Sequence, residues 1–249
     1  TLLLLIFSFN ILQDPALPEL LLPETHPAVR ALRERHRTKH PSQRPDRGRR
    51  VAALGKVPEG YDPLRAALYV SWDSTSLAAL QLHHNDLDLL IPEALHAISP
   101  DGRVTMEDQQ KLEAWLTASR IELPIMSLVN NFDGSEWRVQ EIAELLANPV
   151  SRRLLISELV AYATRQHDQG IVLDFEEVPE KSQADFRQFA KDLSAALHTA
   201  NLKLMITLPA SNFIYDYAFF AAQSDAISSR DYDQHWTTSD PGPIAGQDW

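Results

Sequence analysis

The stretch GIVLDFEEVP, Gly170 to Pro179, joins two unlike patterns. Ile171, Val172 and Leu173 form a continuous apolar run, as in a strand covered on both faces. Asp174, Glu176 and Glu177 follow at once, where a buried strand has no use for charge. Residues i and i+2 of a strand share a face. Asp174 and Glu176 therefore point to one side, and Leu173, Phe175 and Glu177 to the other. Two carboxylates a few ångströms apart do not both ionise cheaply, so one pKa rises, and a Glu so raised is a general acid near neutral pH. A pair bound to an arginine, or a metal site, is the competing reading of Asp-x-Glu alone.

Outward from this stretch the chain alternates. Strands are predicted in residues 65–73, 86–98, 121–132, 170–178, 202–211 and 225–233, each a short apolar run. Helical spacing fills the intervals: 74–85, 105–119 with Thr105 as cap, 135–168 broken near Asn148-Pro149, 182–201, and a short helix from Tyr215. Strands alternating with helices imply a parallel sheet, and a doubly wound sheet and a (β/α)8 barrel both fit. Polar residues stand at nearly every strand end: Trp72-Asp73, Glu93, Asn130-Asn131, Asp174-Glu176, Ser211-Asn212 and Tyr232-Asp233. A TIM barrel builds its active site there. The expected fold is thus a (β/α)8 barrel over residues 65–249, truncated after about six β/α units.

The rest of the chain reads differently. Residues 1–14 begin TLLLLIFSFNIL, an apolar run shorter than the ~20 residues of a full span. The expectation is the end of a membrane anchor or signal-anchor helix, with a short buried helix as the alternative. Residues 15–64 read as a Pro/Arg-rich linker. Within it, residues 30–50 hold nine Lys/Arg against Glu34 and Asp46, a net +7, in a chain whose total is −11; the remainder therefore carries −18. No aromatic interrupts the basic run, so no nucleic-acid partner is expected. The absence of cysteine excludes disulfides, thiolate metal sites and a Cys nucleophile. His83-His84 are adjacent rather than four apart, no other His pairing has ligand spacing, and no Gly-rich phosphate loop occurs. No metal and no cofactor are expected.

GIVLDFE resembles the fourth-strand signature of glycoside hydrolase family 18, the chitinase superfamily. RDYDQHW stands where that family has Met-x-Tyr-Asp on its sixth strand. YDQHWTTSDPGPIAGQDW is similar to family-18-like domains fused to family 2 glycosyltransferases, and sometimes to polysaccharide deacetylases, in bacterial membrane proteins. The resemblance covers about residues 65–249. It implies a glycosidase or transglycosidase of β-linked N-acetylhexosamine polysaccharide, in which Glu176 protonates the glycosidic oxygen, Asp174 orients the 2-acetamido group and Tyr232 hydrogen-bonds its carbonyl. The acetamido oxygen, not an enzyme carboxylate, then attacks the anomeric carbon, an exception to the two-carboxylate rule. Asp233, Trp236, Trp72, Asn130 and His235 are the expected substrate contacts, the Trp faces serving as sugar platforms.

The sequence departs from the family at three positions: Gln169 and Val172 replace Asp residues, and Arg230 replaces Met. A glycan-binding domain is the alternative that these changes raise. The resemblance further implies a fused or neighbouring glycosyltransferase and an extracytoplasmic, periplasmic location on the N-terminal membrane anchor, close to exported polysaccharide.

Overall fold

The computed structural model describes residues 4–5, 64–210, 212–231, 235 and 242. The chain divides into two units; Leu64–Arg230, with the N-terminal strand, forms the first. In chain order its strands and helices are β1 (Leu4–Leu5), β2 (Ala66–Tyr69), α1 (Ser74–His83), β3 (Leu89–His96), β4 (Thr105–Met106), α2 (Gln110–Ser119), β5 (Met126–Asn130), α3 (Val139–Ala147), α4 (Pro149–Gln166), β6 (Gly170–Asp174), α5 (Gln183–Thr199), β7 (Lys203–Pro209), α6 (Tyr217–Gln223) and β8 (Ala226–Arg230). The strands lie in the order β1-β8-β7-β6-β5-β3-β2, all parallel, with β4 antiparallel on β3. The result is a curled parallel sheet with helices, half of a barrel.

Alternation along the strands explains the two faces. Leu89, Ile91, Met126, Leu128, Val172 and Met205 pack together on one, with Ala66, Leu68 and Ala226 partly buried beside them. These residues are two apart within each strand, so they form the inner face of the curl. The intervening residues, among them Val129, Ile171, Leu173, Leu204 and Ile206, pack with Phe186, Phe189, Leu193 and Leu197 of α5 and with Leu155 and Leu159 of α4. Val172, in place of an acid, is 1% exposed and belongs to the inner apolar plug. Gly170 opens β6 because β7 passes too close for any side chain: a Cβ there would stand 2.0 Å from the Lys203 carbonyl oxygen.

Two expectations are corrected. Thr105 does not cap a helix. Thr105–Met106 pair with Leu95 and His96 as β4, and α2 begins at Gln110. The polar cap signal was outweighed by the open backbone edge of β3, which β4 satisfies. Leu4–Leu5, expected in a helix, lie in a strand on β8 in register with Ile227 and Ser228; an apolar run without periodicity fits either form, and an unpaired edge selects the strand. The other residues of 1–14, and the linker 15–63, lie outside the described residues. The single helix break is where Asn148-Pro149 placed it: Asn148 ends α3, and its side chain accepts from Val150 N–H at 2.9 Å to start α4. Among the described residues no helix is long and apolar enough to cross a membrane.

Candidate active site

At the C-terminal end of the sheet the inner face changes from apolar to polar. Continuing the alternation of each strand, Glu93 follows Ile91, Asn130 follows Leu128, Asp174 follows Val172, and Arg230 stands four beyond Ala226. Asn130 and Asp174 are paired in register across β5 and β6. Asp174 and Glu176 meet as the i,i+2 spacing requires, and they meet on a cation. Arg230 Nη1 lies 3.1 Å from Asp174 Oδ1 and also contacts Glu176 Oε1. All three side chains are largely buried, 10% exposed for Arg230, 16% for Asp174 and 19% for Glu176. Burial pushes the Asp174 carboxyl above its ordinary value, and the Arg230 charge pulls against it. Of the readings that the sequence left open for Asp-x-Glu, the arginine-bound pair is present.

Glu176 lies beyond the last residue of β6, yet its backbone is fixed. The buried Asn131 side chain accepts from Glu176 N–H at 2.8 Å and donates to Glu176 C=O at 3.0 Å. One amide side chain thus supplies the rung that a neighbouring strand would give. Glu177 then turns the chain through the left-handed region at φ +53°, a conformation that costs a residue with a Cβ about 1 kcal/mol. On the opposite side Phe175 stacks on Phe189 at 5.8 Å and meets Phe186 at 6.1 Å. The carboxylates are held from both faces of the sheet. Tyr215, whose hydroxyl is hydrogen-bonded to the Val178 backbone, lies within electrostatic reach of Arg230 and Glu176, and burial pushes its pKa up to about 12.

A second polar cluster adjoins the first. Asn130 is 4% exposed and its amide is used inside the protein. Its Nδ2 donates to Glu93 Oε1 at 3.1 Å, and its Oδ1 accepts from Phe132 N–H at 3.1 Å and meets His96 Nδ1 at 2.7 Å. His96 Nε2 lies 3.2 Å from Glu107 Oε1, and Ser71 donates to the other oxygen of Glu107 at 3.2 Å. The indole of Trp72 hydrogen-bonds Glu93; since indole only donates, the carboxyl accepts. Burial raises the pKa of Glu93 against the lowering pull of His96, Asn130 and Trp72. Trp72 itself is 39% exposed, the geometry of a stacking platform with its polar edge anchored. Asp73, next to it, caps α1 by accepting from Thr75 N–H.

Tyr232, Asp233 and Trp236 lie outside the described residues. His235 belongs to the second unit, where its ring packs against Gly242. Among the described residues no three His, Asp or Glu side chains come together as metal ligands. Two residues central to this geometry were not singled out by spacing. Asn131 carries no signal for its backbone role. Arg230 stood out in the sequence only as a departure from a family pattern, although its place in AISSR, four beyond the inner-face Ala226, puts it on the same face.

No family model matches the chain. An uncharacterised glycosylase of Bacillus subtilis, YvbX, is 22% identical over 198 residues, 73% of this chain and 55% of that protein. A chitinase from Chromobacterium violaceum superposes with a TM-score of 0.66 at 26% identity, over 75% of this chain and 61% of the chitinase. The chain resembles chitinases in fold and in sequence. A class V chitinase from Pseudomonas fluorescens Pf-5 gives a TM-score of 0.68 at 25% identity, over 76% and 62% of the two chains. The chain thus spans about half the length of YvbX and about three fifths of the two chitinases. These likenesses support a chitinase-like domain.

Proposed function

We propose that the chain is a glycoside hydrolase or transglycosidase of β-linked N-acetylhexosamine polysaccharide, acting by substrate-assisted retention. The observation that carries this reading is the Asp174–Glu176 pair, side by side at the mouth of a curled parallel sheet that superposes on chitinases. In this reading the sheet is part of an eight-stranded barrel. Glu176 donates the proton to the leaving oxygen. Asp174 orients the acetamido group, and Tyr232 hydrogen-bonds its carbonyl. The acetamido oxygen closes on the anomeric carbon, and water later opens the oxazolinium ion. Trp72 stacks on a sugar ring while Glu93 accepts from sugar hydroxyls. We further propose that the polysaccharide is an exported one, met on the extracytoplasmic side through an N-terminal membrane anchor, with a glycosyltransferase as fused or neighbouring partner.

Glu176→Gln keeps the shape and loses the transferable proton. It is expected to reduce cleavage of N-acetylglucosamine polymers by at least 100-fold while glycan binding persists. A thiazoline analogue of N-acetylglucosamine, a mimic of the oxazolinium, is expected to inhibit. Equal turnover by the Gln variant excludes Glu176 as the acid; preference for a glucose polymer excludes substrate assistance. A second reading, a glycan-binding domain without turnover, is favoured by one observation: Glu176 is already engaged by Arg230, and Val172 gives the pair no further acid to share a proton. Binding with neither turnover nor thiazoline affinity decides for it.

A further inference from the structure

We propose that Arg230 is the positioning residue of the acidic pair: its guanidinium bridges Asp174 and Glu176, holds Glu176 as a carboxylate, and so confines glycoside cleavage at this site to acidic pH. This rests on the reading of the site as a glycosidase.

The argument is one of counting charge at short range. One cation serves two carboxylates, contacting Glu176 and standing 3.1 Å from Asp174. An arginine stays protonated throughout the working range, so it always favours the ionised form of the acid it touches. Among the described residues, Val172, Met205 and Leu128 fill the layer immediately below the pair with apolar atoms. Tyr215, from the segment leading into α6, and Glu93 on β3, one strand away beyond Asn130, are titratable groups near the pair. Neither adds positive charge. A guanidinium in contact with both acids favours the ionised form of the pair, so the pair takes up a proton only at lower pH. Glu176, in contact with that guanidinium, is the residue that must hold a proton at the moment the leaving oxygen departs. At neutral pH only a small fraction of molecules meets that condition, and the fraction grows tenfold for each unit that the pH falls toward the pKa of the acid.

Arg230 also fixes geometry. Its Nη1 reaches from β8 past β7 to the end of β6 and contacts both acids there. Lysine keeps the charge on a flexible stem. Methionine fills similar volume with no charge.

The test is the pH profile of kcat/KM for the full chain on a fluorogenic N-acetylglucosamine oligomer, from about pH 4 to pH 8. In the wild type the rate is expected to climb as the pH falls through this range. In Arg230→Met the descending limb is expected to move upward by a unit or more, so that turnover at neutral pH rises about tenfold. Arg230→Lys keeps the charge, and its limb is expected to stay near that of the wild type. A limb that Arg230→Met leaves in place, or that Met and Lys move equally, overturns the proposal. A second measurement does not depend on turnover. Carboxyl ¹³C resonances of labelled Glu are titrated by NMR, with Glu176 assigned by the signal lost in Glu176→Gln. Glu176 is expected to titrate below an ordinary Glu in the wild type and higher in Arg230→Met. A wild-type Glu176 that titrates above the ordinary range refutes the proposal even where Arg230→Met fails to fold. Normal NMR behaviour with no cleavage at any pH refutes the hydrolase reading and leaves the arginine effect standing.

Discussion

At the scale of single residues, the position of Glu176 depends on an amide that sequence spacing does not mark. Removing Asn131 by Asn131→Ala deletes both hydrogen bonds to the Glu176 backbone and leaves its N–H and C=O without those partners. The expected cost is about 2–3 kcal/mol in denaturant unfolding, since orphaned backbone groups lose more than the net worth of the bond. Turnover is expected to fall about 100-fold, as a misplacement of about 1 Å does to an aligned acid. Unchanged turnover in this variant contradicts the positioning argument. The facing of Asp174 and Glu176 was legible because i,i+2 geometry holds in any strand. Their partner was not, because a cation delivered from β8 is separated from them by more than 50 residues of sequence. The sequence pattern left an arginine-bound pair as one of its alternatives, and only tertiary structure chose among them.

At the scale of elements, the parallel strands were legible for a physical reason: each is covered on both faces, so each reads as an unbroken apolar run. Helices with a strong stripe, such as α5 with Phe186, Phe189, Leu193 and Leu197, were equally clear. What failed were segments whose structure is dictated by an exposed backbone edge rather than by their own side chains. β4 and β1 are two-residue strands that exist because β3 and β8 have open hydrogen-bonding positions. The pairing of β6 with β7 is the tightest of these backbone approaches. Gly170→Ala places a methyl group 2.0 Å from the Lys203 carbonyl oxygen, which forces the two strands apart at their first rung. The expected cost is about 3 kcal/mol or more. Chemical denaturation measures it; an unchanged midpoint shows that the strands separate freely there.

At the scale of the whole unit, the two ends of the sheet differ in how they treat charge. The C-terminal end gathers carboxylates around Arg230, whereas the N-terminal end holds Asp168, 7% exposed and hydrogen-bonded to Ser127. Burial pushes its pKa up to about 6, and its Oδ2 has no hydrogen-bond partner among the described residues. The native state therefore holds this proton more tightly than the unfolded chain does. The stabilisation is complete below about pH 4, is lost as the pH rises toward 6, and totals about 3 kcal/mol for a shift of about two units. Asp168→Asn cannot ionise. It is expected to be more stable than the wild type at pH 7 by about 1–3 kcal/mol and nearly equal to it at pH 4, as measured by urea midpoints at both values. A constant difference between the two pH values rules out the burial argument. The inner apolar plug has a separate chemical consequence. With no cysteine, the sulfur of the chain resides in three methionines. Met106 on β4 is 58% exposed, while Met126 and Met205 lie in the plug at 4% and 2%. Peroxide therefore meets one thioether on the folded molecule and three on the unfolded one. Conversion of Met126 or Met205 to the polar sulfoxide would lodge an oxygen in the dry layer beneath the carboxylates, so oxidative damage that spares Met106 alone is not expected, and damage reaching Met205 reports that the sheet has already opened.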